Sequence, residues 1–265
     1  MKKTVCVIVA ALMTSLVPST LQAQLTDYQD VTFFQNPLKD ANQFTAGYGE
    51  VHSSHTLNSN KKTSDFGILA AMPFANLQVA VNWLYYMACY PCGTKYKGLL
   101  DPEIHGKYSF LKTDRMTAAA GAYATLPIGA GEVGAGRFNY GIWGAARFYT
   151  CAQFLLRLYM GIGFYEMTTS TSHGTSSTSN TEYKSRVQFG AGAMKQVKSG
   201  LYAIADASAT LNSTTEIKAT AGVEYQKGPY AFRGSAGINR NAYTDTDDPS
   251  WTTSGLFMLG VRVTF

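Results

Sequence analysis

Apolar residues recur at every second position along this chain, over stretches longer than the roughly five or six residues of a soluble strand. Between positions 100 and 110, Asp101, Glu103, His105, Lys107 and Ser109 share one face, and Pro102, Ile104, Gly106, Tyr108 and Phe110 share the other. Positions 153–166 set Phe154, Leu156, Leu158, Met160, Ile162 and Phe164 against Arg157, Tyr159, Gly161 and Gly163. Positions 215–226 oppose Ile217, Ala219, Ala221, Val223 and Tyr225 to Glu216, Lys218, Thr220 and Glu224. Near the C-terminus, Phe257, Leu259, Val261, Val263 and Phe265 face away from Met258, Arg262 and Thr264. A helix, with a period near 3.6, would scramble these faces. The pattern predicts strands.

About twelve such stretches can be marked, at 42–52, 63–72, 77–87, 99–110, 115–127, 137–148, 153–166, 183–194, 200–211, 215–226, 229–239 and 253–265. Each extends to about ten residues, which a tilted strand needs to cross a bilayer. The connections are of two kinds. Those at 73–76, 111–114, 149–152, 195–199 and 227–228 are short. Those at 53–62, 88–97, 128–136, 167–182 and 240–252 are longer and polar, with 212–214 a short exception. An even strand count with alternating turns and loops is the outer-membrane barrel pattern, with both chain ends periplasmic. A soluble sandwich has no reason to segregate loop lengths this way. The expected fold is all-β, a transmembrane antiparallel β-barrel of about twelve strands over 42–265. The Ser/Thr-rich run 168–181 cannot build a core and reads as a mobile extracellular loop.

Composition sharpens this picture. Of 265 residues, 46% are hydrophobic and only 15% charged, with 25 Gly, 17 Tyr and 14 Phe. Past the N-terminus no run reaches the roughly 18 apolar residues of a membrane helix. The near-neutral mean hydropathy of −0.08 is therefore the average of two faces, one for lipid and one for the lumen. An aromatic content of 13% argues against disorder, and four Cys are too few for a disulfide-dense scaffold. A net charge of +5 without a basic cluster speaks against a nucleic-acid partner.

Residues 1–23 read as a secretory signal, cleaved near Ala23. Lys2 and Lys3 precede a mostly apolar run from Val5 to Leu16, and Leu21-Gln22-Ala23 ends small. Residues 24–41, with Phe33, Phe34 and Pro37, form a periplasmic segment or a plug folded into the lumen. Phe265 closes the last strand as an interfacial aromatic and resembles the assembly signal of bacterial outer-membrane proteins. The expected location is a Gram-negative-type outer membrane. The expected partners are its lipids, the barrel-assembly machinery and small solutes.

The register opposite the lipid face supplies the candidate site. It carries Asp101, Glu103, His105, Lys107, Arg137, Arg147, Arg157, Lys184, Arg186, Glu216, Lys218, Glu224, Arg233 and Arg262. From Arg137 onward, Lys and Arg outnumber Glu, and a basic wall favours anionic solutes. Alternatively, these charges pair across strands and stiffen a plugged barrel. Twelve strands lie between the filled and the open extremes, so both readings stand. The inward Gly121, Gly141, Gly161, Gly163, Gly190 and Gly192 either clear a passage or bend the sheet.

Cys89 and Cys92 form a C-x-x-C, half a zinc site with no second pair nearby; in an oxidising compartment a local disulfide is expected. Cys151 is left over in a turn. No metal or cofactor is expected. His52 with Ser53 or Ser54 is a Ser/His proximity, but adjacency is not catalytic geometry, and no enzyme is expected.

The segment Gly98-Leu99-Leu100-Asp101-Pro102-Glu103-Ile104-His105-Gly106-Lys107-Tyr108 resembles the G-L-G-D-x-x-x-x-x-K-Y strand of the meta-pathway phenol-degradation-like outer-membrane proteins. Their next strand is Gly/Ala-rich and ends in L-P-T-G. Here Ala118 to Ala124 leads into Leu126-Pro127-Ile128-Gly129, with Ile128 for Thr and Leu100 for the second Gly. The resemblance covers about 98–166. It implies a barrel that passes small, often hydrophobic or aromatic compounds, and the basic lumen extends this to aromatic acids. The competing expectation is a non-transporting surface protein with a blocked lumen, acting through its long loops as an adhesin or receptor.

Overall fold

The computed structural model describes residues 48–57, 62–74, 76–89, 95–129, 138–150, 154–173, 176–212, 214–243 and 251–264. Among the described residues each of the twelve alternating stretches contains strand, and consecutive staves pair antiparallel in chain order. The strands are β1 (Tyr48–Leu57), β2 (Lys62–Phe74), β3 (Leu77–Cys89), β4 (Lys95–Leu99), β5 (Glu103–Lys112), β6 (Met116–Thr125) and β7 (Tyr140–Thr150). They continue as β8 (Phe154–His173), β9 (Ser176–Lys198), β10 (Leu201–Leu211), β11 (Thr214–Lys227), β12 (Tyr230–Tyr243) and β13 (Trp251–Thr264). β13 pairs with β1 from Tyr48↔Thr264 to Leu57↔Gly255, which closes the barrel. No edge strand is left among the described staves, as a sheet that spans a membrane requires.

Thirteen segments make twelve staves, because β4 and β5 share the edge of β3. Tyr85 pairs with Leu99 and Asn82 with Glu103, so Leu100, Asp101 and Pro102 span the length covered by Trp83 and Leu84 alone. The extra residue breaks the ladder where Pro102 has no N–H to donate. It also reverses the alternation. Leu99 is exposed outward whereas Glu103 lies on the inward face, so a single strand over 99–110 was too simple.

Burial runs opposite to that of a soluble protein. Met160 and Ile68 are 66% and 63% exposed, whereas Arg157 and Glu224 are 1% and 0% exposed. The apolar face therefore points out and the charged face in, as a lipid solvent requires. Height agrees. Phe154 and Phe164, ten residues apart on β8, are separated by about 33 Å of strand, or about 25 Å along the axis at a tilt near 40°. Tyr140 stacks on Phe164 at 5.3 Å and lies 6.4 Å from Tyr183, so the upper aromatic girdle is continuous across three strands.

Some loops expected from the sequence are strand. The run 168–181 is a β-hairpin in which Thr168 pairs with Thr181 and His173 with Ser176, extending β8 and β9 past their neighbours. Beyond Phe164 β8 has lost β7, and before Val187 β9 has lost β10, so this ribbon stands on two strands alone. β1 runs on to Leu57, past the expected end at 52, and β2 begins at Lys62. The segments assigned to the signal (1–23) and to the periplasmic segment or plug (24–41), together with Phe265, lie outside the described residues.

The short turns at the other end are set by their residues. Gly200 (φ 74°) and Gly228 (φ 57°) supply the left-handed backbone of the β9–β10 and β11–β12 turns. Gly228→Ala meets no atom within 4 Å, so its cost is conformational alone. The expected loss is about 1 kcal/mol, read as a lower urea midpoint in lipid vesicles.

Candidate functional site

The two motifs that carry the resemblance meet in space. The Asp101 carboxylate accepts the Gly129 N–H at 2.7 Å, Leu126 N–H donates to Pro102 O at 2.9 Å, and the Trp83 indole N–H donates to Leu100 O at 3.0 Å. A Cβ at Gly129 would fall within 3 Å of Asp101, so only glycine lets the backbone approach. Asp101 thus sits in the interruption rather than in the β5 ladder, and it ties down the start of the β6–β7 connection. Asp101→Ala is expected to cost about 2 kcal/mol, the worth of a hydrogen bond to a charged group, measured by urea titration.

From β6 to β9 the inward wall combines aromatic rings with arginine. Tyr123, Trp143 and Tyr159 are buried and lie flat against the strand beside them. The Trp143 ring covers Gly121, the Tyr123 ring covers Gly141, and the Tyr159 ring covers Gly190. The Tyr123 hydroxyl reaches past Gly163 and accepts a hydrogen bond from Arg186 Nη2 at 3.1 Å. On its other side the Tyr123 ring lies 5.9 Å from that of His105, tilted by 30°. Gly121, Gly141, Gly163 and Gly190 make room for these side chains, as glycine paired with an aromatic does in barrels.

Nearer the short turns the wall is charged. Arg147 and Arg157 occupy directly paired positions on β7 and β8. Arg157 crosses the bare Gly192 of β9 to form an ion pair with Asp206 on β10, and Arg233 from β12 binds the second Asp206 oxygen at 2.8 Å. Arg262 lies 3.4 Å from Glu224, whose same oxygen accepts Gln226 Nε2 at 2.6 Å. Lys218 pairs with Glu216 at 3.0 Å, and His105 lies 3.5 Å from Glu103. Arg147 packs its guanidinium 5.0 Å from the Tyr149 ring. Leu155, Met194 and Ile204 pack together beneath this layer.

The structure therefore places Glu103, His105, Lys107, Arg147, Arg157, Lys184, Arg186, Arg233 and Arg262 on the inward register. It groups Arg157 and Arg233 around Asp206, and Arg262 with Glu224. Arg137 lies outside the described residues, as do Cys92 and Cys151; Cys89 ends β3 between Lys62 and Lys95. Asp206, Tyr123 and Trp143 were not singled out in the sequence, and Tyr159 was placed on the face opposite the lipid without a role. Asp206 had a signal: it occupies the polar register of a strand whose other face is Ala203, Ala205, Ala207 and Ala209. The His52 and Ser54 side chains lie outside the described ones; among the described residues His55 Nδ1 lies 2.9 Å from Ser64 Oγ, beside Phe66. Among the described residues no cluster of His, Cys, Asp or Glu is arranged to hold a metal ion.

A closed, twelve-stave antiparallel barrel with an apolar outside and a charged, aromatic inside has the architecture of outer-membrane barrels. Solved structures share it. The COG4313 outer membrane channel from Pseudomonas putida F1 superposes with a TM-score of 0.62 at 13% identity, covering 95% of this chain and 100% of that one. The KdgM porin gives 0.52 at 9% identity, covering 82% and 99%, and the β domain of the Bordetella autotransporter BrkA gives 0.52 at 13%, covering 83% and 99%. These likenesses are of fold. No family model and no curated protein matches the sequence.

Proposed function

We propose that this protein is an outer-membrane channel for small solutes, and that planar aromatic acids are the class its wall fits best. One observation carries the reading. Among the described inward positions from Thr117 to Gln196, the charges are Arg147, Arg157 and Arg186, set beside Tyr123, Trp143, Tyr149 and Tyr159, with Lys184 and Glu182 further along β9 where it runs into the ribbon. Ring faces offer stacking and guanidinium groups offer a bidentate partner for a carboxylate. The acids that balance this wall stand elsewhere, at Asp206 on β10 and at Glu216 and Glu224 on β11. The fold shared with an outer membrane channel and with porins supports transport, and the Asp101–Gly129 contact supports the phenol-degradation-like resemblance. The deep burial of Arg157, Glu224 and His105 favours a narrow passage over a wide water-filled pore.

The test is flux into vesicles with benzoate, benzamide and benzylammonium as solutes of similar size. Benzoate is expected to enter faster than benzylammonium, and R147Q/R186Q is expected to reduce the difference. A unit charge about 4 Å from the solute is worth about 1 kcal/mol in water, or about fivefold per arginine. Absent flux for all three solutes, or a lead for benzylammonium, overturns the reading.

A further inference from the structure

Two buried donors on the β6–β9 wall have no acceptor among the described residues. Trp143 is 4% exposed, and its indole N–H meets no hydrogen-bond partner there. Arg186 donates from Nη2 to the Tyr123 hydroxyl at 3.1 Å, while its buried Nε has no partner. Arg186 also differs from the arginines nearer the short turns. Arg157 and Arg233 share Asp206, and Arg262 lies beside Glu224. Among the described residues no carboxylate pairs with Arg186, whose guanidinium rests on a neutral phenol. A buried cationic nitrogen without a counter-charge is costly, and so is a buried N–H without an acceptor. An anion that carries a second acceptor satisfies both.

We infer that Arg186 and Trp143 are the two ends of one binding station, in which Arg186 holds the carboxylate of an aromatic acid and the Trp143 N–H holds an acceptor atom on the far side of its ring. Their placement sets the length of the occupant. Arg186 Nε lies 3.2 Å from where a Cβ on Gly163 would stand, and the Trp143 ring covers Gly121. Gly121 pairs with Trp143, and Trp143 with Gly161. Gly121 and Gly163 are therefore two staves and two residues apart, roughly 12 Å along the wall. Two hydrogen bonds of about 2.9 Å leave about 6 Å between the end atoms of the solute, a length that one benzene ring with para substituents spans. The Tyr123 ring covers Gly141, between the two ends, and offers a face for that ring to lie against. An apolar group in place of the second acceptor leaves the indole N–H unsatisfied. This inference rests on the channel reading for its solute class and goes beyond it by assigning a second contact and its position on the ring.

Equilibrium dialysis of the full-length protein folded in lipid nanodiscs tests it, with empty nanodiscs as the blank. The probes are 4-acetylbenzoate and 4-isopropylbenzoate, which share a carboxylate and nearly a shape and differ in one acceptor oxygen. The ratio of the Kd for the isopropyl acid to that for the acetyl acid is expected to fall about fivefold in W143F, which keeps a ring and loses the N–H. R186Q is expected to raise both Kd values about tenfold and leave the ratio alone. Should W143F fail to show heat-modifiable migration, saturable quenching of Trp143 emission by the acetyl acid, read in W83F/W251F, replaces it. An unchanged ratio in folded W143F, unchanged Kd values in R186Q, or the absence of saturable quenching overturns the station. Binding does not require passage, so an acid that binds as described to a protein without flux leaves the station standing and removes the channel reading.

Discussion

Asp206→Ala is expected to destabilise the barrel by about 3 kcal/mol, because it removes the one carboxylate that two buried arginines share. Arg157 and Arg233 reach Asp206 from opposite sides, from β8 and β12, while Asp206 stands on β10 between them. Both guanidinium groups are nearly inaccessible, at 1% and 2% side-chain exposure, so water replaces the lost partner poorly. The same change adds one positive charge to the lumen. The urea midpoint in vesicles should therefore fall while the preference for anions rises. Asp206→Asn keeps an acceptor in place and should lose less stability with a similar gain in anion preference. If Asp206→Ala unfolds at the wild-type midpoint, the arginines do not depend on the pair, and the description of a cross-strand latch is wrong.

The second large effect contrasts two glycines of β7. Gly141 faces inward, and a Cβ there would fall within 3 Å of the Tyr123 ring, the Ile162 carbonyl and the Gly163 backbone. Two of those three neighbours are main chain and cannot rotate aside. Gly144 faces outward, with only the Ala119 carbonyl, at 3.9 Å, within contact range. Gly141→Val is expected to cost about 3 kcal/mol, the upper range of overpacking, whereas Gly144→Val should stay within about 0.5 kcal/mol. Paired urea titrations would show it. Equal costs would mean that inward glycines serve only to bend the sheet.

The strands and their faces were legible in the sequence because alternation is local and the bilayer imposes it on every stave. Ile217, Ala219, Ala221 and Val223 needed no partner to be read as the lipid face. The lost details depend on neighbours. The parity that joined Leu99 to Glu103 fails because Leu100–Pro102 holds one residue more than the facing strand, which only the pairing with Trp83 and Leu84 reveals. The hairpin over 168–181 has no alternation to read, since its two strands stand clear of the wall. Of the candidate site, the inward arginines were legible one by one. Their grouping was not, because Arg157 meets Asp206 across a third strand, through the gap at Gly192. Tyr123 and Trp143 escaped notice, and Tyr159 was placed on the inward face without a role, because an aromatic side chain in the polar register looks out of place until the glycine beneath it is known.

The central claim is that this barrel conducts, through a lumen whose β6–β9 wall is basic. Single-channel recording in a planar lipid bilayer under a potassium chloride gradient tests it most directly. Discrete conductance steps are predicted, with a reversal potential displaced toward that of chloride and moved back by R147Q/R186Q. A bilayer that stays silent after insertion of folded protein, or a reversal potential on the potassium side, would contradict it.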